Sequence, residues 1–269
     1  MSRAGPLGRT LRTWGPPVAL LAALVLLWEA WVVVQGTEPY VLPSPGRIVG
    51  AGWTSAHLLP EHVGVTLLEA VLGLVLGAVI GAAVAVAVAT VPLVRRVLEP
   101  LLVVSQTIPM LVLAPLLVLW FGFGYSPKIV VVALIAFFPV AVSTAQGLQG
   151  ADRDLVELVR GMGATPRQTL RMVQLPAAVP AFFSGLRIAA AYAVAGAVVG
   201  EWVGAERGLG IFITRSQASY RVDRIFVAVV LISALSMALF AIVTQAGRWA
   251  APWDQDHRAD LSPSSKENR

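Results

Sequence analysis

Few residues of this chain are equipped for chemistry, and their spacing excludes more reactions than it supports. His57 and His62 flank Glu61, a spacing that could hold a metal ion, but no third ligand stands nearby, so no metal site is expected. The remaining histidine, His257, lies in the tail, and no Ser/His/Asp arrangement can be assembled around any of the three. The chain has no cysteine, which removes disulfides, thiolate nucleophiles and Cys-ligated metals. Its only lysines are Lys128 and Lys266, and neither closes a G-x-x-x-x-G-K sequence, so there is no P-loop to bind ATP. Gly204, Gly208 and Gly210 follow no strand and read as bends in a short loop. Glu29, Glu69 and Arg187 fall inside apolar runs, where a charge costs about 2.5–3.5 kcal/mol at a helix centre. No run offers a chain of buried acids of the kind proton coupling uses. No enzyme activity and no cofactor of the chain's own are expected.

One charged stretch stands apart: "ELVRGMGATPRQTLRMVQLP", Glu157 to Pro176. Leu155, Leu158, Val159 and Met162 recur at i, i+3, i+4 and i+7, one apolar stripe of a short helix. Asp154 with Glu157 three residues later reads as an N-cap with its capping-box partner. Gly163 falls where a left-handed residue would stop that helix. Thr165, Pro166 and Gln168 then form a second start signal, and the new helix presents Leu170 and Val173 before Pro176 ends it. The stretch is therefore expected to be an elbow of two short capped helices. Neither is long enough to be stable alone in water, so their apolar faces must rest on something. On these residues alone the elbow either merely joins two longer helices or docks a partner.

The elements around it are apolar. Of 269 residues 57% are hydrophobic and only 13% are charged, where a soluble domain carries about 25%. Runs long enough to cross a ~30 Å hydrocarbon core recur along the chain. The expected fold class is all-α, a polytopic membrane protein with six spans near Pro16–Val34, Val63–Val91, Leu98–Phe121, Lys128–Leu148, Val179–Gly200 and Ile225–Gly247. The first span has no small-x-small cleavage site after it and reads as a retained helix, not a signal peptide. The net charge of +5 follows the positive-inside bias, and no basic run interleaved with aromatic residues points to nucleic acid.

With the N-terminus inside, the inner loops hold Arg95, Arg96, Arg153, Arg160, Arg167, Arg171 and Arg248 together with the basic residues of both termini. They outnumber Arg47, Lys128, Arg207, Arg215, Arg221 and Arg224 outside by about two to one. Both termini and the elbow are then cytoplasmic. The organisation is a segment 1–15, a first span and external loop 16–62, a core 63–249 with the elbow at 152–176, and a polar tail 250–269. The loop from Gln35 to His62 is rich in Pro and Gly, with a short interfacial helix expected around Trp53.

Inside the spans, Gly73, Gly77 and Gly81 form a small-xxx-small stripe that lets helices approach closely. Pro109, Pro115 and Pro139 each remove a backbone donor and kink their spans. Polar residues on those kinked spans, Gln106, Ser143, Thr144 and Gln146, are candidates to face a solute pathway beside Pro109. Arg187 either snorkels to the interface or lines the inner half of that pathway.

The spacing of Glu157, Gly163-Ala164 and Leu175-Pro176 resembles the cytoplasmic "EAA" loop of bacterial ABC importer permeases, with Leu158 and Val159 where two alanines are usual. The resemblance extends over roughly Val63 to Trp249. "QTIPMLVLAPLLVLWFGFGYSPK" (Gln106–Lys128), "FFPV" (Phe137–Val140), "SGLRIA" (Ser184–Ala189) and "GEWVGAERGLG" (Gly200–Gly210) are similar to the nitrate/sulfonate/taurine branch, most of all to permeases for thiamine pyrimidine precursors.

The resemblance implies the type I importer fold, with the elbow as coupling helix. Glu157, Leu158, Val159, Met162, Gly163, Ala164, Leu170, Leu175 and Pro176 would meet the ATPase. It also implies a bacterial inner-membrane location, a separate ABC ATPase that binds ATP, an external solute-binding protein and a second permease copy in a homodimer. The implied solute is small and polar, a thiamine pyrimidine precursor first, with alkanesulfonate, taurine, nitrate and riboflavin open. The rival reading is an ion-coupled secondary transporter, which the absence of a buried acid chain disfavours.

Overall fold

The computed structural model describes residues 6–105 and 109–253, and every regular element among them is a helix. In chain order these are α1 (Pro6–Gln35), α2 (Pro45–Ser55), α3 (Leu59–Thr90), α4 (Pro92–Ser105), α5 (Met110–Phe121), α6 (Ser126–Gln149), α7 (Arg153–Gly161), α8 (Pro166–Thr169), α9 (Leu175–Glu201), α10 (Leu209–Ala218) and α11 (Val222–Ala250). Five helical stretches are long and apolar enough to cross a membrane: Gly15–Gln35, Leu59–Thr90, Ser126–Gln149, Pro166–Glu201 and Val222–Ala250.

The expected third span is described as two helices, α4 and α5. Pro109 is the N-cap of α5 with extended backbone (φ −65°, ψ 118°), and α5 by itself is a shorter apolar helix of 12 residues. A proline cannot donate to the preceding turn and bars the residue before it from helical geometry, which is why a helix begins there. Gln106 lies outside the described residues, as does most of the tail.

The helices divide into two compact units. One comprises Met1–Pro60 and Phe212–Val230. In it Ser44 and Pro45 start α2, the short helix expected around Trp53, whose side chain is exposed. The Glu29 carboxylate accepts from the Gly46 N–H at 2.9 Å, and Trp28 packs on Phe226 with ring centroids 5.5 Å apart.

The other unit, Glu61–Ile211 with Leu231–Arg269, holds the main core. Ala70, Leu74 and Ala78 of α3 meet Val132, Ala136 and Val140 of α6, Ala189, Ala193 and Ala197 of α9, and Leu239 and Val243 of α11. The side chains are small because the backbones nearly touch. A Cβ on Gly73, Gly77 or Gly81 would strike Val132, the Ala133 carbonyl or the Phe137 carbonyl of α6. This is how membrane helices associate without a hydrophobic driving force between them.

Candidate functional site

The elbow differs from its expected form in two respects. The N-cap of α7 is Asp152, whose side chain accepts from the Asp154 N–H at 2.9 Å, so Asp154 lies in the first turn and Glu157 is no capping-box partner. The cap moves because Arg153 already has helical backbone, and the cap residue is by definition the one before it. The other end holds to expectation. Gly163 has φ +90°, its N–H bonds to the Arg160 carbonyl, and the Ala164 N–H bonds to the Val159 carbonyl. This pair of bonds is a Schellman motif, and the left-handed residue it requires is the glycine.

Thr165 then caps α8, with the Gln168 side chain returning to the Thr165 N–H at 2.8 Å. Pro166 stands at the helix start, so the second capping box is present.

The second departure concerns Pro176. It does not end the helix. Residues Leu170–Gln174 form a π turn, the Leu175 N–H bonds to the Leu170 carbonyl, and Pro176 becomes one of the first residues of α9. A wide i→i+5 turn lets the ladder change step just where Pro176 has no N–H to give. The second half of the elbow is therefore continuous with the long helix that follows. Of the predicted coupling residues, Glu157, Leu158, Met162, Gly163, Leu175 and Pro176 are exposed, and Val159, Ala164 and Leu170 are partly covered. No residue of α7 is buried.

Midway along α6 the same unit has a half-open cavity of about 490 Å³. Met110 of α5, Ile135, Phe138, Pro139 and Ser143 of α6, and Tyr192 of α9 line it. Of the predicted pathway residues that are described, it gathers Ser143 alone, one turn from Pro139. Pro109 is exposed, Thr144 is buried with its hydroxyl unpartnered, Gln146 is exposed and Arg187 is half-buried. Ser143 and Thr144 diverge because adjacent positions on a helix stand about 100° apart.

The end of the unit opposite the elbow holds polar residues that the sequence reading did not bring together. Lys128 was expected at the outer edge of its span and Glu69 as a costly charge within another. Both are buried, and the Lys128 ammonium stands 3.0 Å from Glu69 Oε1. Glu201 is fully buried too, and its carboxyl faces that of Glu69. The sequence reading considered acids within single spans and did not bring these two together. The fold joins one acid from α3 and one from α9, which lie far apart in sequence.

Around Glu201 the loop after α9 is folded back. The Thr66 hydroxyl donates to Glu201 Oε1 at 2.6 Å, and the Gly210 N–H donates to Oε2. The Leu209 N–H donates to Thr66 Oγ1 at 2.8 Å, and the Gly208 N–H to His62 Nδ1 at 3.0 Å. Three successive backbone donors at the start of α10 are thus received by side chains of α3 and α9. Gly208 has φ +122°, and a Cβ there would collide with the Glu201 carboxyl.

A signal for this cluster was present. His62, Thr66 and Glu69 recur at i, i+4 and i+7, on the same face that Gly73, Gly77 and Gly81 continue. A polar stripe running into a close-packing stripe marks one buried face. Phe138 and Tyr192 carried no such signal, because an aromatic residue in an apolar span looks the same whether it faces lipid or a cavity.

The family model of the "Binding-protein-dependent transport system inner membrane component" matches residues 61–252. The chain belongs to this family. It is the membrane component of an ABC importer, a multipass inner-membrane permease and not itself the ATPase.

Known relatives agree along nearly the whole permease. The formylaminopyrimidine transport permease ThiX of Halalkalibacterium halodurans is 38% identical over 88% of this chain and 95% of its own length. The riboflavin transport permease RibX of Chloroflexus aurantiacus is 38% identical over 94% of this chain and 97% of its own. The taurine transport permease TauC of Escherichia coli is 28% identical, covering 88% of both. The permease thus sits in the nitrate/sulfonate/taurine branch, with similarity to a thiamine-precursor permease. Its fold is like a chain of the MetNI methionine ABC transporter in inward-facing conformations, with a TM-score of 0.59 and 26% identity over 71% of this chain and 97% of that one. This is the type I importer fold expected from the elbow's residues.

Proposed function

We propose that this permease forms the membrane pathway of an ATP-driven importer for a small polar heterocycle of the thiamine-precursor class. Two copies would enclose the pathway. A separate ATPase would bind the ATP and dock on the elbow, and an external solute-binding protein would deliver the solute at the opposite end. Both termini and the elbow would be cytoplasmic, in keeping with the excess of arginine on that side.

The observation that carries this reading is the elbow itself. Leu158 of α7 and Met162, which follows its last residue, are 59% and 79% exposed, and α7 has no buried residue. A nine-residue helix with a bare apolar stripe is unstable in water. A groove on the ATPase would cover it. Glu157 lies on the same short helix and would add a polar contact.

The test is co-purification of the ATPase with wild-type permease and with Gly163→Asp at matched membrane levels. An aspartate at φ +90° costs roughly 1–2 kcal/mol and changes the angle between α7 and α8. The permease should insert normally, while ATPase association and uptake fall together. Normal association with normal uptake would make the elbow a plain connector and remove the coupling role.

A further inference from the structure

Two cavities of similar size lie along the spans of the second unit, and their linings differ. One, of about 510 Å³, is formed by aliphatic side chains such as Val71, Val75 and Leu239 with Phe182, and has no polar side chain. Lipid chains satisfy such a surface fully. The other is the cavity of about 490 Å³ midway along α6. It offers the rings of Phe138 and Tyr192, the thioether of Met110 and the hydroxyls of Ser143 and Tyr192.

Acyl chains have no hydrogen-bonding group to offer the Ser143 and Tyr192 hydroxyls. A flat ring bearing ring nitrogens or an amino group does, and its faces suit aromatic and thioether contacts. Among the described residues the lining holds no charged side chain. Arg187 precedes the lining residue Ile188 in sequence but is not itself part of the wall. A sulfonate or nitrate would be stripped of water there without a counter-ion, which is strongly unfavourable.

We infer that this cavity is a solute subsite within the membrane, and that it takes neutral planar heteroaromatic molecules in preference to anions. The inference rests on the importer reading above and names the residues that set its solute class: Met110, Phe138, Ser143 and Tyr192. The greater identity to the formylaminopyrimidine and riboflavin permeases than to the taurine permease agrees with it.

The test uses the full chain in lipid nanodiscs, without binding protein, with riboflavin as a fluorescent probe. Binding should quench the flavin. 4-Amino-2-methylpyrimidine should displace it, and ethanesulfonate at the same concentration should not. Phe138→Leu and Tyr192→Leu should each weaken binding roughly tenfold, while Leu239→Ala, in the aliphatic cavity, has no effect.

Displacement by ethanesulfonate as effective as by the pyrimidine overturns the inference. So does unchanged binding in both leucine variants, or native mass spectrometry showing the cavity held by lipid or a second copy and no flavin bound. If the flavin binds as expected but the chain with its ATPase and binding protein shows no ATP-driven uptake, the importer reading fails and the subsite stands. If uptake proceeds and neither leucine variant alters it, the subsite fails and the importer reading stands.

Discussion

The two ends of the helical core treat their polar residues in opposite ways. At the end formed by His62, Thr66, Glu69, Lys128 and Glu201, the charges are buried and each has a partner within the chain. At the elbow, Glu157, Arg160, Arg167 and Arg171 are exposed, and so are the hydrophobic side chains beside them. One end is completed by its own fold. The other leaves apolar side chains uncovered, as the proposed ATPase interface requires. The difference follows from the connections. The loop after α9 has glycines that let it fold over Glu201 and direct its N–H groups inward. The elbow uses its single left-handed glycine to turn a corner, and no residue of α7 is buried.

The largest test of this contrast is Lys128→Met. It leaves the buried Glu69 carboxylate without its counter-charge and should destabilise the permease by about 3–5 kcal/mol. Unfolding in mixed micelles with rising dodecyl sulfate would measure it. The double variant with Glu69→Met should recover most of the loss. If the single variant unfolds like wild type, the self-contained description of that end is wrong.

A smaller loss, about 1–3 kcal/mol, is expected for Thr66→Val, which keeps the shape but orphans the Leu209 N–H and one Glu201 oxygen. Thr66→Ser should restore wild-type stability, and a serine that fails to rescue would assign the loss to packing.

At the elbow the balance should invert. Leu158→Ser combined with Met162→Ser should leave the unfolding midpoint where it was and still reduce recovery of the ATPase. A shifted midpoint would mean that these side chains rest on their own chain after all.

The mildest change is a reporter cysteine, clean here because the chain has none. Thr165→Cys should react at once in detergent and only after permeabilisation in cells, whereas Thr66→Cys should resist until the protein unfolds. Labelling of Thr165→Cys in intact cells would reverse the proposed orientation.

The same contrast decided what could be read in advance. Local rules sufficed at the elbow. Gly163, Thr165, Pro166 and Gln168 act on neighbours within a few residues, and each did what its type dictates. Pro176 misled because the π turn that absorbs it arises from the whole run Leu170–Leu175, and no single residue marks it. The buried cluster was missed because Glu69, Lys128 and Glu201 are brought together only by the packing of α3, α6 and α9. In sequence, an acid in an apolar run and a lysine at its edge look like separate liabilities. The glycine stripe of α3 was legible, and the helix it packs against was not.

The π turn also settles a length. Because Pro176 does not interrupt the helix, Pro166 to Glu201 runs as one stretch of 36 residues. At 1.5 Å per residue that is about 54 Å, well beyond a ~30 Å hydrocarbon core. One end of this bar is clamped, since Glu201 is bonded to α3 and to the start of α10. The other emerges at Thr165 as an uncovered tip. Ile188 and Tyr192 of the cavity wall lie on this same stretch, between the tip and the clamp.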